Sequence, residues 1–371
     1  MSEHTSRRRE FIAAGAVGLA GLAGCTGRSD DEEFQPGIIG YGREGRELPG
    51  GTSMQEMPPL SGTLDVYSGR GEALVGSLFD YIEGLYDDFT IQPRYDSSTA
   101  LVNRIEQEGD NSVADVFFSV NAGALGALAD RGRATELPGD VAELVREEFR
   151  DPEDRWVGVS GRARSVPYNT DEFEEGDIPE DIYAFPEEPR FEGTVGWTPT
   201  YGSFQAFITA MRIIDGRDRA KAWLEGMVEA GAESYADEFQ VAQAVADGEI
   251  GAGFTNHYYP QRVLDGRPDA PLATAFTRND PGAVFNVAGG LVVDTTDDEA
   301  LATNFVRHLL SAEAQDYFTR ITFEYPLIPD VEPIGELPTI DELDPPEGLD
   351  LSQLSDLEPT IELLREVGLS V

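Results

Sequence analysis

The sequence predicts an α/β protein of two lobes. Strand-like apolar pentads alternate with helical repeats of leucine and isoleucine from residue 63 onward. An extended stretch at 156–168 is long enough to leave one lobe and enter another. The 371 residues allow two domains of ordinary size.

Taken in order, Thr63-Leu64-Asp65-Val66-Tyr67 reads as a buried strand closed by Ser68-Gly69, and Leu74, Leu78, Ile82 and Leu85 then recur at helical spacing. Residues 91–95 form a second predicted strand, 100–108 a helix, 114–118 a third strand and 122–131 another helix. This alternation predicts a parallel sheet with both faces covered. Beyond the extended stretch, 193–197 and 250–255 read as strands, and 203–215, 217–230 and 239–247 as helices. Residues 289–294 are again strand-like, while 299–311 and 312–321 are helical. After Pro326 the chain turns proline-rich and acidic, and 354–367 is predicted as one closing helix.

The formal charge is −43, from 70 acidic and 27 basic residues, with Lys221 the single lysine. The acidic residues are spread over the whole chain. Such a field repels nucleic acid and anionic bilayers, which excludes a polyanion-binding role unless salt screens it. At multimolar salt the Debye length shrinks to about 3 Å or less and the self-repulsion is largely removed, so the composition predicts a halophilic protein. The one cysteine, Cys25, forbids an intramolecular disulfide and any cysteine-based metal cage.

Arg7-Arg8-Arg9 precedes Phe11-Ile12, and a short run of small apolar residues occupies 13–23. At about eleven residues the run falls well short of the roughly 20 needed to span a bilayer. The pattern resembles a twin-arginine export signal, and Leu22-Ala23-Gly24-Cys25 resembles a lipoprotein cleavage box. Residues 1–24 are thus expected to be a signal peptide, with Cys25 the lipid-bearing mature N-terminus on the outer face of the cell membrane. Residues 25–60, with Asp30-Asp31-Glu32-Glu33 and repeated Gly and Pro, are expected to form a flexible tether. Halophily and a twin-arginine signal together suggest an archaeal source.

The body resembles the ferric-ion-binding family of periplasmic solute-binding proteins of ABC importers. The segments that carry the resemblance run in the family's order from about residue 63 to 330. They are Val66-Tyr67-Ser68-Gly69-Arg70, Ala114-Asp115-Val116-Phe117-Phe118-Ser119, Ser160-Gly161-Arg162-Ala163-Arg164, Gly196-Trp197-Thr198-Pro199-Thr200, Asn256-His257-Tyr258-Tyr259, Asp280-Pro281-Gly282-Ala283 and Glu324-Tyr325-Pro326-Leu327. The resemblance implies a two-lobed fold with a ligand cleft between the lobes. The implied first lobe is 61–162 with 286–330, and the second is 163–285 with 331–371 and its C-terminal helix. It further implies a monomer that delivers ferric ion to permease and ATPase subunits and touches the membrane only through its lipid anchor.

By the same resemblance, the adjacent Tyr258 and Tyr259 are metal ligands. A hard trivalent cation displaces the phenolic proton, whose pKa is ordinarily about 10, and creates an anionic oxygen ligand near neutral pH. Neighbouring side chains on a strand point to opposite faces, so both can reach one ion only where the strand has ended. Read without the family, the Tyr-Tyr pair fits core or interface aromatics better than a metal site. Tyr201, after the Gly-Trp-Thr-Pro segment, stands where some relatives carry a third tyrosine ligand. The first-lobe histidine and glutamate of the best-known members are replaced by Gly71 and Val120, which cannot ligate, with Glu72 and Asn121 beside them. Arg162 and Arg164 match the family's basic pair, and with Gly202, Ser203 and Asn256 they are the expected site of a synergistic anion such as carbonate or phosphate. Taken alone, each arginine fits surface salt bridging equally well. His257, flanking the tyrosines, and His308 are expected to be structural.

Two other readings stay open. One is a binding protein for a different small ligand, such as thiamine, a polyamine or an oxyanion, since fold does not fix cargo. The other is a secreted hydrolase, disfavoured because there is no Gly-x-Ser-x-Gly elbow, no His-Glu-x-x-His helix and no phosphate-loop motif. No nucleophile and base can be nominated together, so no enzymatic activity is expected.

Overall fold

The structure is a computed structural model and describes residues 50–329 and 331–371. The arginine-led segment, Cys25 and most of the expected tether lie outside the described residues.

The strands are β1 Gly62–Ser68, β2 Phe89–Tyr95, β3 Val116–Ser119, β4 Val157–Asn169, β5 Val195–Trp197, β6 Glu233–Ser234, β7 Ala252–Gly253, β8 Thr255–Asn256, β9 Leu272–Ala275, β10 Phe285–Val292 and β11 Tyr325–Pro326. The helices are α1 Glu72–Leu85, α2 Ser98–Glu108, α3 Ala122–Asp130, α4 Gly139–Ala142, α5 Gly202–Ile214, α6 Arg217–Glu229, α7 Glu238–Ala246, α8 Tyr258–Gly266, α9 Glu299–His308, α10 Ala312–Arg320 and α11 Glu358–Glu366.

The fold is α/β and two-lobed, and its first strands alternate with helices as the periodicity predicts. In the first lobe β2, β1 and β3 run parallel, but β10 joins β3 and β4 antiparallel. The sheet is therefore mixed, a correction to the all-parallel expectation, because β10 returns from the second lobe instead of following a crossover helix. The largest core packs Val66, Phe117, Phe118, Leu291 and Phe305 under this sheet. A second core gathers Trp197, Phe207, Trp223 and Phe254, and a smaller one lies beside Tyr258 and Tyr259.

One strand serves both lobes. The first half of β4 pairs with β10, from Gly290↔Val157 to Phe285↔Ala163, and its second half pairs with β8 and β9. Nearly all of its thirteen residues are buried, which explains why apolar and small residues fill most of both faces, with Arg162 and Arg164 the exceptions at its centre.

Two expectations shift at the ends of the body. Residues 50–60, taken from composition as tether, are packed against the first lobe. Met54 is fully buried, its N–H and the Ser53 hydroxyl donate to Glu313 at 2.9 and 2.6 Å, and the Tyr86 hydroxyl lies 3.0 Å from its carbonyl. The predicted closing helix splits into a 3-10 turn at Leu351–Ser355 and α11. Pro359 lacks an N–H and is tolerated only in a first helical turn, so the helix starts there. The turn before it crosses between the lobes. Its serines rest on α3, where a Cβ on Gly123 or Gly126 would meet Ser355 or Ser352 at 2.5 Å, and Leu354 packs on Ala210 and Val284.

Candidate functional site

A cavity of about 550 Å³ lies between the lobes. Because β4 crosses from one core to the other at its centre, Arg162 and Arg164 sit on the cavity floor. The first lobe contributes the neutral Ser97, Ser98, Thr99, Asn121 and Asn286 together with the cationic Arg131, while the second contributes Tyr201, Gly202, Ser203, Asn256 and Tyr258.

The strand predicted at 250–255 is broken into β7 and β8 and ends at Asn256, and Tyr258 and Tyr259 are the first two residues of α8. Successive residues of a helix project about 100° apart, so both rings stay on one side of the chain. Their centroids are 4.4 Å apart. The Tyr259 hydroxyl lies 2.6 Å from that of Tyr201, and Asn256 Nδ2 donates to the Tyr258 hydroxyl at 3.2 Å. Tyr201 and Tyr258 face the cavity, and Tyr259 joins them through Tyr201. The Arg262 guanidinium covers both adjacent rings, at 5.0 and 5.6 Å from their centroids.

Burial, with the nearby Tyr258 and Glu238, pushes the Tyr259 phenol far above its ordinary value, and burial also raises Tyr201. Both are therefore neutral hydroxyls near neutral pH in the metal-free protein. Among the described residues no group of three or more His, Cys, Asp or Glu side chains is placed to hold a metal ion. The phenols are the oxygen-rich cluster of this cleft.

The two arginines differ in setting. Arg162 Nη2 donates to the Val120 carbonyl, and its Nε is buried without a partner. Arg164 is 4% exposed, lies over the Phe207 ring and donates through Nη1 to Glu238 at 2.5 Å, while its Nη2 has no partner. Glu238 is fully buried and also accepts from the Ser203 hydroxyl and the Asn256 N–H. Sequence reasoning missed this residue. In a chain with 70 acidic side chains, one carboxylate at a helix start carries no local signal.

Val120 and Asn121 line the cavity, whereas Gly71 and Glu72 do not. Asn121 is spent capping α3, accepting from Ala124 N–H at 2.8 Å. His257 is fully buried, is not among the cavity-lining residues and accepts from the Ala163 N–H through Nδ1. Burial lowers its pKa to about 4, so it is neutral. Also absent from the sequence reading were Leu354, Ser355 and Leu357, which wall one side of the cavity.

A family profile described as bacterial extracellular solute-binding protein matches residues 111–343. The "Major ferric iron-binding protein" of Neisseria meningitidis is 31% identical over 274 residues, covering 72% of this chain and 82% of the relative. The "Fe(3+)-binding periplasmic protein" of Serratia marcescens is 28% identical over 314 residues, with 82% and 90% covered. The crystal structure of iron-bound HitA from Pseudomonas aeruginosa superposes with a TM-score of 0.73 at 27% identity, over 83% of this chain and 99% of that one.

Proposed function

This chain belongs to the family of bacterial extracellular solute-binding proteins, and on that premise we propose that it is the substrate-binding component of an ABC importer whose cargo is ferric iron. The iron is held by the phenolates of Tyr201, Tyr258 and Tyr259. The observation that carries this reading is the convergence of three tyrosines on one wall of an interlobe cleft, with two of their oxygens 2.6 Å apart. The names of the Neisseria and Serratia relatives support the choice of metal.

The chemistry follows from the charge on the ion. Neutral phenols in a partly desolvated wall give up their protons to a trivalent cation, and each phenolate formed supplies both a bond and a unit of charge neutralisation. Three phenolates leave further coordination positions for water or for a synergistic anion such as carbonate or phosphate. The unpaired Arg162 Nε and Arg164 Nη2 are donors available to that anion. Closure of the lobes along β4 would bring the first-lobe side chains, Arg131 among them, over the cargo.

The remainder of the proposal concerns where the protein works. It is exported by the twin-arginine route, anchored through a lipid on Cys25, active in concentrated salt, and monomeric, delivering its cargo to permease and ATPase subunits. No helix among the described residues is long and apolar enough to cross a membrane. As a solute-binding protein it carries cargo without transforming it.

A second reading, a different small ligand, is favoured by a first-lobe wall with no carboxylate or imidazole among its lining residues and by a cavity of about 550 Å³, roomy for a bare ion. Adding ferric citrate separates the two. A visible charge-transfer band develops if phenolates bind ferric ion, and no colour develops if the cargo is thiamine, a polyamine or an oxyanion.

A further inference from the structure

Three of the five groups suited to an exogenous anion are already bound to an anion that belongs to the chain. Glu238 opens α7, where Asp237 caps the helix by accepting from Gln240 N–H at 2.9 Å. Its Oε1 accepts from Arg164 Nη1 at 2.5 Å and from the Ser203 hydroxyl, and its Oε2 accepts from the Asn256 N–H at 2.7 Å. The carboxylate is fully buried and Arg164 nearly so. One side chain thereby ties together the middle of β4, the start of α5 next to Tyr201, and the residue two before Tyr258.

We propose that Glu238 is a built-in anion and a positioning residue of the cleft, occupying the place at Arg164, Ser203 and Asn256 that a free carboxylate or phosphate would otherwise take. In what it says about iron, this rests on the reading of Tyr201, Tyr258 and Tyr259 as the ferric site. A second anion cannot share these donors, because two negative charges a few ångströms apart in a desolvated site repel strongly. A free anion is left the buried, unpartnered Arg162 Nε and Arg164 Nη2 and the Arg131 guanidinium on the facing wall. The charge that faces the phenols from behind comes with the protein. It also counts toward neutralising a trivalent ion once the phenols have lost their protons.

Deleting the carboxylate should leave a space the size of a formate ion, lined by an arginine, a hydroxyl and a backbone N–H. The test compares wild type, Glu238→Ala and Glu238→Gln in buffer of constant ionic strength with sodium formate as the probe. Without metal, formate should raise the melting temperature of Glu238→Ala and leave that of wild type unchanged. With iron supplied as ferric nitrilotriacetate, Glu238→Ala should bind at least about tenfold more weakly, since its arginine is left buried and unpaired. Formate should restore most of that loss while changing wild type less than about twofold. Glu238→Gln keeps the shape, removes the charge and leaves no space, so it should lose affinity without rescue. Equal responses to formate in wild type and Glu238→Ala, or wild-type iron affinity in Glu238→Gln, would overturn the proposal. A wild type that took up no ferric ion would sink the ferric reading alone, because the metal-free formate arm still decides the role of Glu238.

Discussion

The hydroxyl oxygens of Tyr201 and Tyr259 stand 2.6 Å apart although 58 residues separate them in the chain. One is carried by the loop ahead of α5 and the other by the first turn of α8, and β4, paired with β8, holds these elements together. Replacing Tyr201 by Phe keeps the ring and removes one oxygen, leaving the buried Tyr259 hydroxyl without this partner. Ferric affinity should fall about tenfold or more, and the charge-transfer band should shift as the phenolate count drops. Competition with a coloured chelator measures the first effect and absorption spectroscopy the second.

The buried pair Arg70–Glu324 anchors the first lobe beneath the cleft. Arg70 donates to both Glu324 oxygens, at 3.1 and 2.6 Å, and its guanidinium lies over Phe118 and Phe318. Burial alone would raise the Glu324 carboxyl, but Arg70, with help from Arg162 and the Thr322 hydroxyl, holds the group below the usual carboxylate range. Glu324→Gln strands a buried cation and should destabilise the protein by about 3 kcal/mol. Denaturant unfolding at constant salt checks this, and ligand binding by the folded fraction should persist.

The turn at Leu351–Ser355 rests on α3 through glycine. A Cβ on Gly126 would lie 2.5 Å from that of Ser352, a distance no real pair adopts without movement. Gly126→Val should push the turn off α3 and loosen one wall of the cleft. Hydrogen exchange across 349–357 should accelerate while the central strands keep their protection. Unchanged exchange there would mean that the glycine contact does not hold the turn.

His308 joins the Tyr86 hydroxyl through Nε2 at 2.8 Å and the Asn304 carbonyl through Nδ1 at 2.7 Å. Burial lowers its pKa from 6.5 to about 4. The folded pKa is depressed, so its contribution is fully present above about 6.5 and is lost as pH falls toward 4. Over that window the group accounts for up to about 3 kcal/mol. His257, lowered to about 4 in the same way, adds to the slope. His308→Leu should flatten the fall in stability between pH 6.5 and 4, measured against wild type at fixed salt.

The parts legible in the sequence are those written in local periodicity. Leu74, Leu78 and Ile82 announced α1, and the apolar run ending at Phe118 announced β3. Strand direction has no such signature. The antiparallel return of β10 depends on where the chain has travelled between 170 and 284, and the pairing of Phe285 with Ala163 could not be read from either residue. The tyrosines were found through family resemblance and their proximity through the fold. Glu238 was hidden by its chemistry, since burial, and not residue type, distinguishes it from other carboxylates. The start of α11 is legible at Pro359, because a proline inside a predicted helix marks a boundary.

The most direct test of the ferric reading is the visible spectrum of the Tyr258→Phe, Tyr259→Phe double variant titrated with ferric citrate beside wild type, with solution scattering on the same samples. Wild type should colour and become more compact on adding iron, while the double variant, having lost two anionic ligands, should stay colourless and open. Full colour and compaction in the double variant would contradict phenolate binding of ferric iron by this cleft.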